Sequence, residues 1–339
     1  METIRQYLRY IASALLAIIT TFSSLLGLGG GGIPQEAATE DTLCLTICAV
    51  SDTHVNDEAR AALLGAGLRD MSAASLDTDA VLFLGDCTDN GNTENWEMFT
   101  SAVTKNCTVK DKIVALGNHD TWLSYDTDHE YGEALDIYLT YSNAIMGTDH
   151  TKAYYTYDVC GYPFIVLAPE GTSVGAEMSA AQLAWADAEL QKAAAANPGK
   201  PIFVLMHQPL NYTHAVGNNE NGNGFEDNDT SKQLRAILDK YENVFYISGH
   251  QHYGLSDGTD AFTNPEGFKS IEKIGNHITG VNLPCYTYGS YVFTGDPLIG
   301  DGLVINVYAD RVEFLGRNFV AGGWLDYTET VPLTGAVNE

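Results

Sequence analysis

Six short apolar runs, at 43–50, 80–84, 113–116, 164–168, 202–206 and 244–247, punctuate the chain at intervals filled by helical patterns. Each is four to eight residues long, the length of a strand buried on both faces. Strand, helix and strand in alternation confine such a chain to an α/β fold. The helices have legible ends. Ser179 with Gln182, and Thr230 with Gln233, stand at capping-box spacing, and Asn197-Pro198-Gly199 is a stop. Leu234, Ile237, Leu238 and Tyr241 recur at i, i+3, i+4 and i+7, which turns one face of that helix toward a sheet. The tail departs from the plan. Residues 302–309 and 311–318 read as two strands joined tightly at Asp310 with no helix after them, and predict a hairpin in a second sheet.

Ahead of the first run, Arg5 and Arg9 precede 19 uncharged residues, 10–28, which end at a Gly-rich stretch. A charge followed by an apolar run has the form of an export signal, and the length leaves both a cleaved signal and a retained membrane anchor open. A linker then occupies 29–41, and 42–339 is left for one domain. Any membrane association is expected only through residues 10–28. With 17 basic against 44 acidic residues the formal charge is −27, which argues against a nucleic-acid-binding surface. A phosphate-bearing ligand would need a local positive centre, and bound metal is the obvious one. Cys44 and Cys48, four apart in a strand, are separated by about 13 Å, too far for a bridge. Neither they nor Cys87, Cys107, Cys160 and Cys285 form a disulfide framework, so all six are expected to be small fillers.

Five of the six strands run directly into polar residues. The first gives Asp52-Thr53-His54, the second Gly85-Asp86-Cys87-Thr88-Asp89 and the third Gly117-Asn118-His119-Asp120. The run ending at Met206 gives His207, and that ending at Ile247 gives Gly249-His250-Gln251-His252. In open α/β sheets ligands bind beyond the carboxyl ends of the strands, so these groups can converge on one crevice. A mixture of imidazoles and carboxylates suits Zn, Mn or Fe, and the ligand count fits two ions better than one. Glycines before Asp86, Asn118 and His250 fit sharp turns and close backbone approach. Singly, each motif is an ordinary turn or surface pair. Five in one order, each at a strand end, are not. His214, in the long Asn- and Gly-rich loop 211–231, is the one further histidine considered on the substrate side.

Taken together, Asp52-x-His54, Gly85-Asp86-x-x-Asp89, Gly117-Asn118-His119-Asp120, His207 and Gly249-His250-x-His252 resemble the full motif series of the calcineurin-like metallophosphoesterases. The resemblance implies a four-layer α/β/β/α sandwich of two mixed sheets flanked by helices, and a dinuclear metal centre. It places Asp52, His54, Asp86 and His252 on one metal and Asp86, Asn118, His207 and His250 on the other, with Asp86 as the bridge. It gives His119 the task of contacting the phosphate and protonating the leaving oxygen, and Asp120 that of orienting the His119 ring.

Departures from sister branches narrow the substrate. Asn90 stands where protein phosphatases of this pattern have Arg, and Asp89 and His54 stand where purple acid phosphatases have Tyr and Gly. His119 replaces the Arg of the lipid A precursor hydrolases, and no residues remain for the nucleotide-binding domain that secreted nucleotidases carry. The series is most similar to class III cyclic-nucleotide phosphodiesterases and their exported relatives. The expectation is an exported enzyme that hydrolyses a small-molecule phosphodiester or phosphomonoester by in-line attack of a metal-bridging hydroxide, with two ions drawn from Fe, Mn and Zn. The alternatives are a phosphomonoesterase and a non-catalytic surface protein that keeps the fold. Residues 211–231 and 256–301 are assigned only to the pocket rim.

Overall fold

The computed structural model describes residues 42–123, 131–214, 224–258, 267–287 and 299–335. The export segment, the linker and parts of both rim loops lie outside them. Among the described residues no helix is long and apolar enough to cross a membrane.

The first two apolar runs form β1 (Leu43–Val50) and β2 (Ala80–Leu84) as read, and β3 is Asp111–Ala115. These three lie parallel, with Ile47 opposite Ala80 and Leu82 opposite Ile113. The helices between and after them are α1 (Glu58–Met71), α2 (Thr93–Asn106) and α3 (Tyr131–Met146). Next come β4 (Tyr155–Val159), β5 (Tyr162–Val166), α4 (Ala180–Ala196), β6 (Ile202–Leu205), α5 (Asn228–Leu238) and β7 (Val244–Ser248). The chain then adds β8 (Ile271–Lys273), β9 (Ile278–Asn282), β10 (Asp301–Tyr308), β11 (Arg311–Asn318) and β12 (Gly323–Pro332). Two six-stranded mixed sheets result, ordered β12-β11-β10-β1-β2-β3 and β4-β5-β6-β7-β9-β8.

Side-chain alternation decides what each face of the second sheet meets. Phe164, Phe203, Leu205, Phe245 and Ile247 share one buried cluster with Ile47, Val304 and Phe314 of the first sheet. The Phe245 and Phe314 rings lie 5.9 Å apart across that interface. Ile165, Val204, Met206, Val244 and Tyr246 point the other way, onto Leu183 and Leu190 of α4 and Leu234 and Leu238 of α5. Leu64 and Leu68 of α1, Trp96 and Phe99 of α2 and Tyr138 of α3 join the cluster that contains the first sheet. Strands buried on both faces are what the short all-apolar runs encode.

Three readings are corrected. The tail hairpin does not found a second sheet: β10 pairs antiparallel with β1, Ile47 opposite Ile305, and so extends the sheet that β1 begins. A third strand, β12, follows it at the sheet edge, where its largely exposed, polar alternation hides it from an apolar-run reading. Neither capping box is reciprocal. Ser179 Oγ accepts the Gln182 N–H at 3.2 Å, but the Gln182 amide instead pairs with the backbone of Ala168, accepting from its N–H and donating to its carbonyl. The cap of α5 is Asp227, whose two oxygens accept from Asp229 N–H, Thr230 N–H and Thr230 Oγ1. A carboxylate takes several orphan donors where a hydroxyl takes one. All six cysteines are free thiols.

Candidate metal centre

The parallel strands β1, β2, β3, β6 and β7 each end in a polar turn, and the turns meet. Asp52, His54, Asp86 and His252 offer ligand atoms that all lie within 4.8 Å of one another, and Asp86, His207 and His250 do the same. Asp86 belongs to both groups. His207 Nε2 is 3.1 Å from Asp86 Oδ2, and His252 Nε2 is 3.1 Å from Asp52 Oδ1 and from His54 Nε2.

Several of these side chains are aimed by their other atoms. His207 Nδ1 donates to the Leu84 carbonyl at 2.7 Å, which turns Nε2 toward Asp86. Asp86 Oδ1 accepts the His119 N–H at 2.8 Å, and Asp52 Oδ2 accepts the His250 N–H at 3.1 Å. The remaining atoms, Asp52 Oδ1, Asp86 Oδ2, Asn118 Oδ1 and His207 Nε2, are buried without a hydrogen bond. Buried polar atoms are normally satisfied, and the Asp52 and Asp86 oxygens, 3.7 and 3.1 Å from His207 Nε2, are two buried carboxylate charges suited to a cation. The donor set, imidazole with carboxylate and amide oxygen, fits a divalent or trivalent ion of the Zn, Mn and Fe type.

The electrostatics carry the same sign. Burial raises the carboxyl pKa of Asp86, yet the neighbouring imidazoles, His207 foremost, hold it well below the usual carboxylate range. Asp52 is likewise lowered, against burial, by His207 and His252. Burial lowers His207, and Asp86 and Asp52 reverse that to about 9. The pocket is built to hold positive charge.

The backbone here is locally strained. Asp52, His54, Asp86, His250 and His252 all have positive φ, from 42° to 72°, a region that residues with a Cβ enter at a cost of about 1–3 kcal/mol each. Gly117 is required for a different reason. A Cβ there would collide with the Asp86 backbone nitrogen and Oδ1. At Gly85, φ is +84° and a Cβ would sit 2.7 Å from the His207 ring.

Two expectations change. Asp120 does not orient His119. Its buried carboxylate accepts from Gly117 N–H, Cys87 N–H, Thr88 N–H and Thr88 Oγ1, and so ties the β2 and β3 turns together. Burial and the Asp86 charge push Asp120 up to about 6. The His119 Nδ1–H instead donates to the Asp89 carbonyl at 2.9 Å. His119 and Asp120 are adjacent in the short 3-10 turn His119–Thr121, where neighbouring side chains diverge. His214 joins neither ligand group: it is buried, its Nδ1–H donates to the Lys269 carbonyl and its backbone N–H to Glu272.

Asp89 closes the Gly85-Asp86-x-x-Asp89 motif and stands beside His54. Its Oδ1 lies 3.3 Å from His54 Nδ1, and its Oδ2 accepts from Asn56 Nδ2 at 2.6 Å and lies 3.6 Å from the Arg60 guanidinium. A carboxylate on the far nitrogen of a ligating histidine fixes its ring. Asn282 belongs to none of the sequence motifs. At the end of β9, its buried amide donates to the Gly249 carbonyl at 2.7 Å and to Ser248 Oγ at 3.1 Å, bracing the turn that carries His250 and His252.

The family model for calcineurin-like phosphoesterases matches residues 45–254, which include every residue of the two ligand groups. The chain belongs to the calcineurin-like phosphoesterase family. Among solved structures it is similar to purple acid phosphatase PPD1 from yellow lupin, with a TM-score of 0.59 and 13% identity over 85% of this chain and 53% of that one. The chain thus spans about half the length of that protein. It is also similar to GAP50, the anchor in the inner membrane complex of Plasmodium, with a TM-score of 0.49 and 13% identity over 86% and 90% of the two chains. At such identity the lupin likeness is one of fold. Comparison with curated proteins gives no match. Within the phosphoesterase family, a dinuclear centre fits the two ligand groups that share Asp86.

Proposed function

We propose that this calcineurin-like phosphoesterase is an exported enzyme that binds two metal ions and hydrolyses a small phosphate ester, a diester or a monoester. The observation that carries the reading is the pair of ligand groups meeting at Asp86, with four buried polar atoms left without hydrogen bonds. Asp52, His54, Asp86 and His252 would hold one ion, and Asp86, Asn118, His207 and His250 the other. Bound there, the ions would neutralise charge on the phosphoryl oxygens and make a water nucleophilic near neutral pH. The apolar segment at 10–28, preceded by Arg5 and Arg9, supports export.

The protein's own residues supply the rest. Asp89 Oδ1 lies 3.3 Å from His54 Nδ1, and the other nitrogen of that ring, Nε2, faces the ligand group. His119 is held by the Asp89 carbonyl, so proton traffic to the leaving oxygen runs through Nε2. Asp120 fixes the Asp86 turn against the His119 turn through backbone amides, which keeps proton donor and metal bridge in register.

The test is a panel of bis- and mono-nitrophenyl phosphates and 3',5'-cyclic nucleotides with Mn or Zn added, alongside metal analysis. Two ions per chain and turnover that is lost in Asp86→Asn are expected. A metal-free chain without turnover on the whole panel would overturn the reading. His119→Ala should lose more rate on esters of poor leaving groups than on nitrophenyl esters, and equal losses would remove His119 as the acid.

A further inference from the structure

A leaving alcohol protonated by His119 must rest on something, and the surface beside His119 is an indole. The Trp122 and His119 ring centroids are 4.2 Å apart, with the planes tilted by 45°. The indole is fixed before any ligand arrives. Its Nε1–H donates to the Thr172 carbonyl at 2.8 Å, its backbone N–H to the His119 carbonyl at 3.1 Å, and its own carbonyl accepts the Gly91 N–H at 2.5 Å. An aromatic plate held in this way loses little freedom on binding and presents a face suited to stacking.

His119 Nδ1 is engaged by Asp89, so the leaving oxygen has to approach Nε2 to within about 3 Å. A ring on that alcohol then falls within reach of the indole. A second, separate feature lies on the same side of the sheets. Leu43, Val174, Tyr212 and Trp324 are the large exposed hydrophobics among the described residues. Val174 and Tyr212 sit on the loops that follow β5 and β6, the latter five residues after His207. The Gln208 amide donates to the Val174 carbonyl at 3.1 Å and joins those loops. Scattered exposed apolar side chains need no explanation, but Tyr212 follows the strand end that carries His207, and Val174 is tied to that same turn through Gln208.

We propose that Trp122, with Val174 and Tyr212 at its outer margin, is the leaving-group wall, and that it selects phosphate esters whose alcohol half carries a planar aromatic ring over aliphatic esters of equal leaving-group acidity. The inference rests on the phosphoesterase reading and names the substrate class for it. Trp122 acts on binding of the alcohol half and transfers no proton.

The experiment uses the full chain loaded with Mn and reads a ratio. One measurement is kcat/KM for phenyl phosphate over that for a fluorinated alkyl phosphate matched in leaving-group acidity. The other is the calorimetric affinity for phenylphosphonate over butylphosphonate. Trp122→Leu should lower both ratios about tenfold, chiefly through KM, as expected for loss of one stacking contact, and Trp122→Phe should keep them within about threefold. A ratio is insensitive to general damage at His119, which touches both esters alike. Tyr212→Ser, at a side chain 61% exposed, should lower the ratios about threefold and serves if the Trp122→Leu chain does not fold. Ratios unchanged in Trp122→Leu, or in Tyr212→Ser where only that variant folds, overturn the proposal. Should no phosphate ester be turned over, the phosphoesterase reading fails, and the phosphonate ratio still decides the wall by the same criterion.

Discussion

The body of β6 and its end follow opposite rules. Ile202, Phe203, Val204 and Leu205 are all buried, with Phe203 stacked on Phe164 at 5.0 Å and tilted on Phe245 at 5.7 Å. Two residues beyond the strand, His207 is equally buried but ends in a nitrogen with no hydrogen bond, facing a carboxylate. The strand bodies gain from burial. The strand ends, with positive φ at five of the proposed ligands and charges taken out of water, cost free energy in the metal-free chain. A site of this kind is stable because two packed sheets hold it, and metal binding returns part of the cost.

The strongest way to break the contrast is at Asp86. Asp86→Asn removes the shared ligand while keeping shape and the acceptor for His119 N–H, so both ions should be lost together. Turnover should fall at least about a thousandfold, some 4 kcal/mol of transition-state stabilisation. The same substitution removes a buried carboxylate that the His207 imidazole stabilises. The metal-free variant should therefore melt below the metal-free parent, and the parent alone should gain Tm on adding metal. Metal analysis and paired melts with and without chelator check this. Retention of one ion would show that Asp86 is not the bridge.

At the strand body the signs reverse. Phe203→Ala should cost about 3–5 kcal/mol in denaturant unfolding through the cavity it leaves. At temperatures where the variant is folded, metal stoichiometry should stay at the parent value. A variant that kept its stability but lost metal would mean that core and site are not separable in this way.

Between the two lies Asn282, a buried residue whose side-chain amide braces the Gly249 turn. Supporting contacts of this sort are typically worth 10–100-fold in metal affinity. Asn282→Ala should weaken metal binding by about that factor, roughly 1.4–2.7 kcal/mol, in a competition titration with a chromogenic chelator. An unchanged affinity would return Asn282 to the ordinary core.

How much of this was legible depended on what each residue had to advertise. Strand bodies such as those of β1 and β2 announced themselves because burial on both faces demands an unbroken apolar run. Their ends did so because Asp, His and Asn are out of place there unless they bind something. β4, β8, β9 and β12 lacked that signal: Ile271–Lys273 is three residues long, and β12 alternates on an exposed edge. Asn282 was illegible for the same reason, as a single amide at the end of a strand that was not recognised. The roles of Asp120 and Asp89 were confused because adjacency in sequence stood in for adjacency in space. Which carboxylate reaches which imidazole depends on how the β2 turn folds over the β3 turn, and Thr88 and Gly117 settle that through backbone amides.

The smallest effect tests the outermost layer, where sequence and structure half agree. Ser179 caps α4 as its spacing predicts, accepting the Gln182 N–H, but Gln182 spends its side chain on Ala168 rather than returning it to the cap. Ser179→Ala therefore removes one hydrogen bond at a helix start and should cost about 1 kcal/mol, near 2 °C in Tm for a domain of this size. Metal stoichiometry and kcat should not move, because α4 meets the site only through the body of the second sheet. Were the box reciprocal, Gln182→Glu would be tolerated as an equivalent partner. With the amide paired to both backbone groups of Ala168, that substitution instead leaves the Ala168 carbonyl facing a carboxylate oxygen. Gln182→Glu should thus destabilise the chain more than Ser179→Ala does, and equal melting temperatures for the two variants would restore the box.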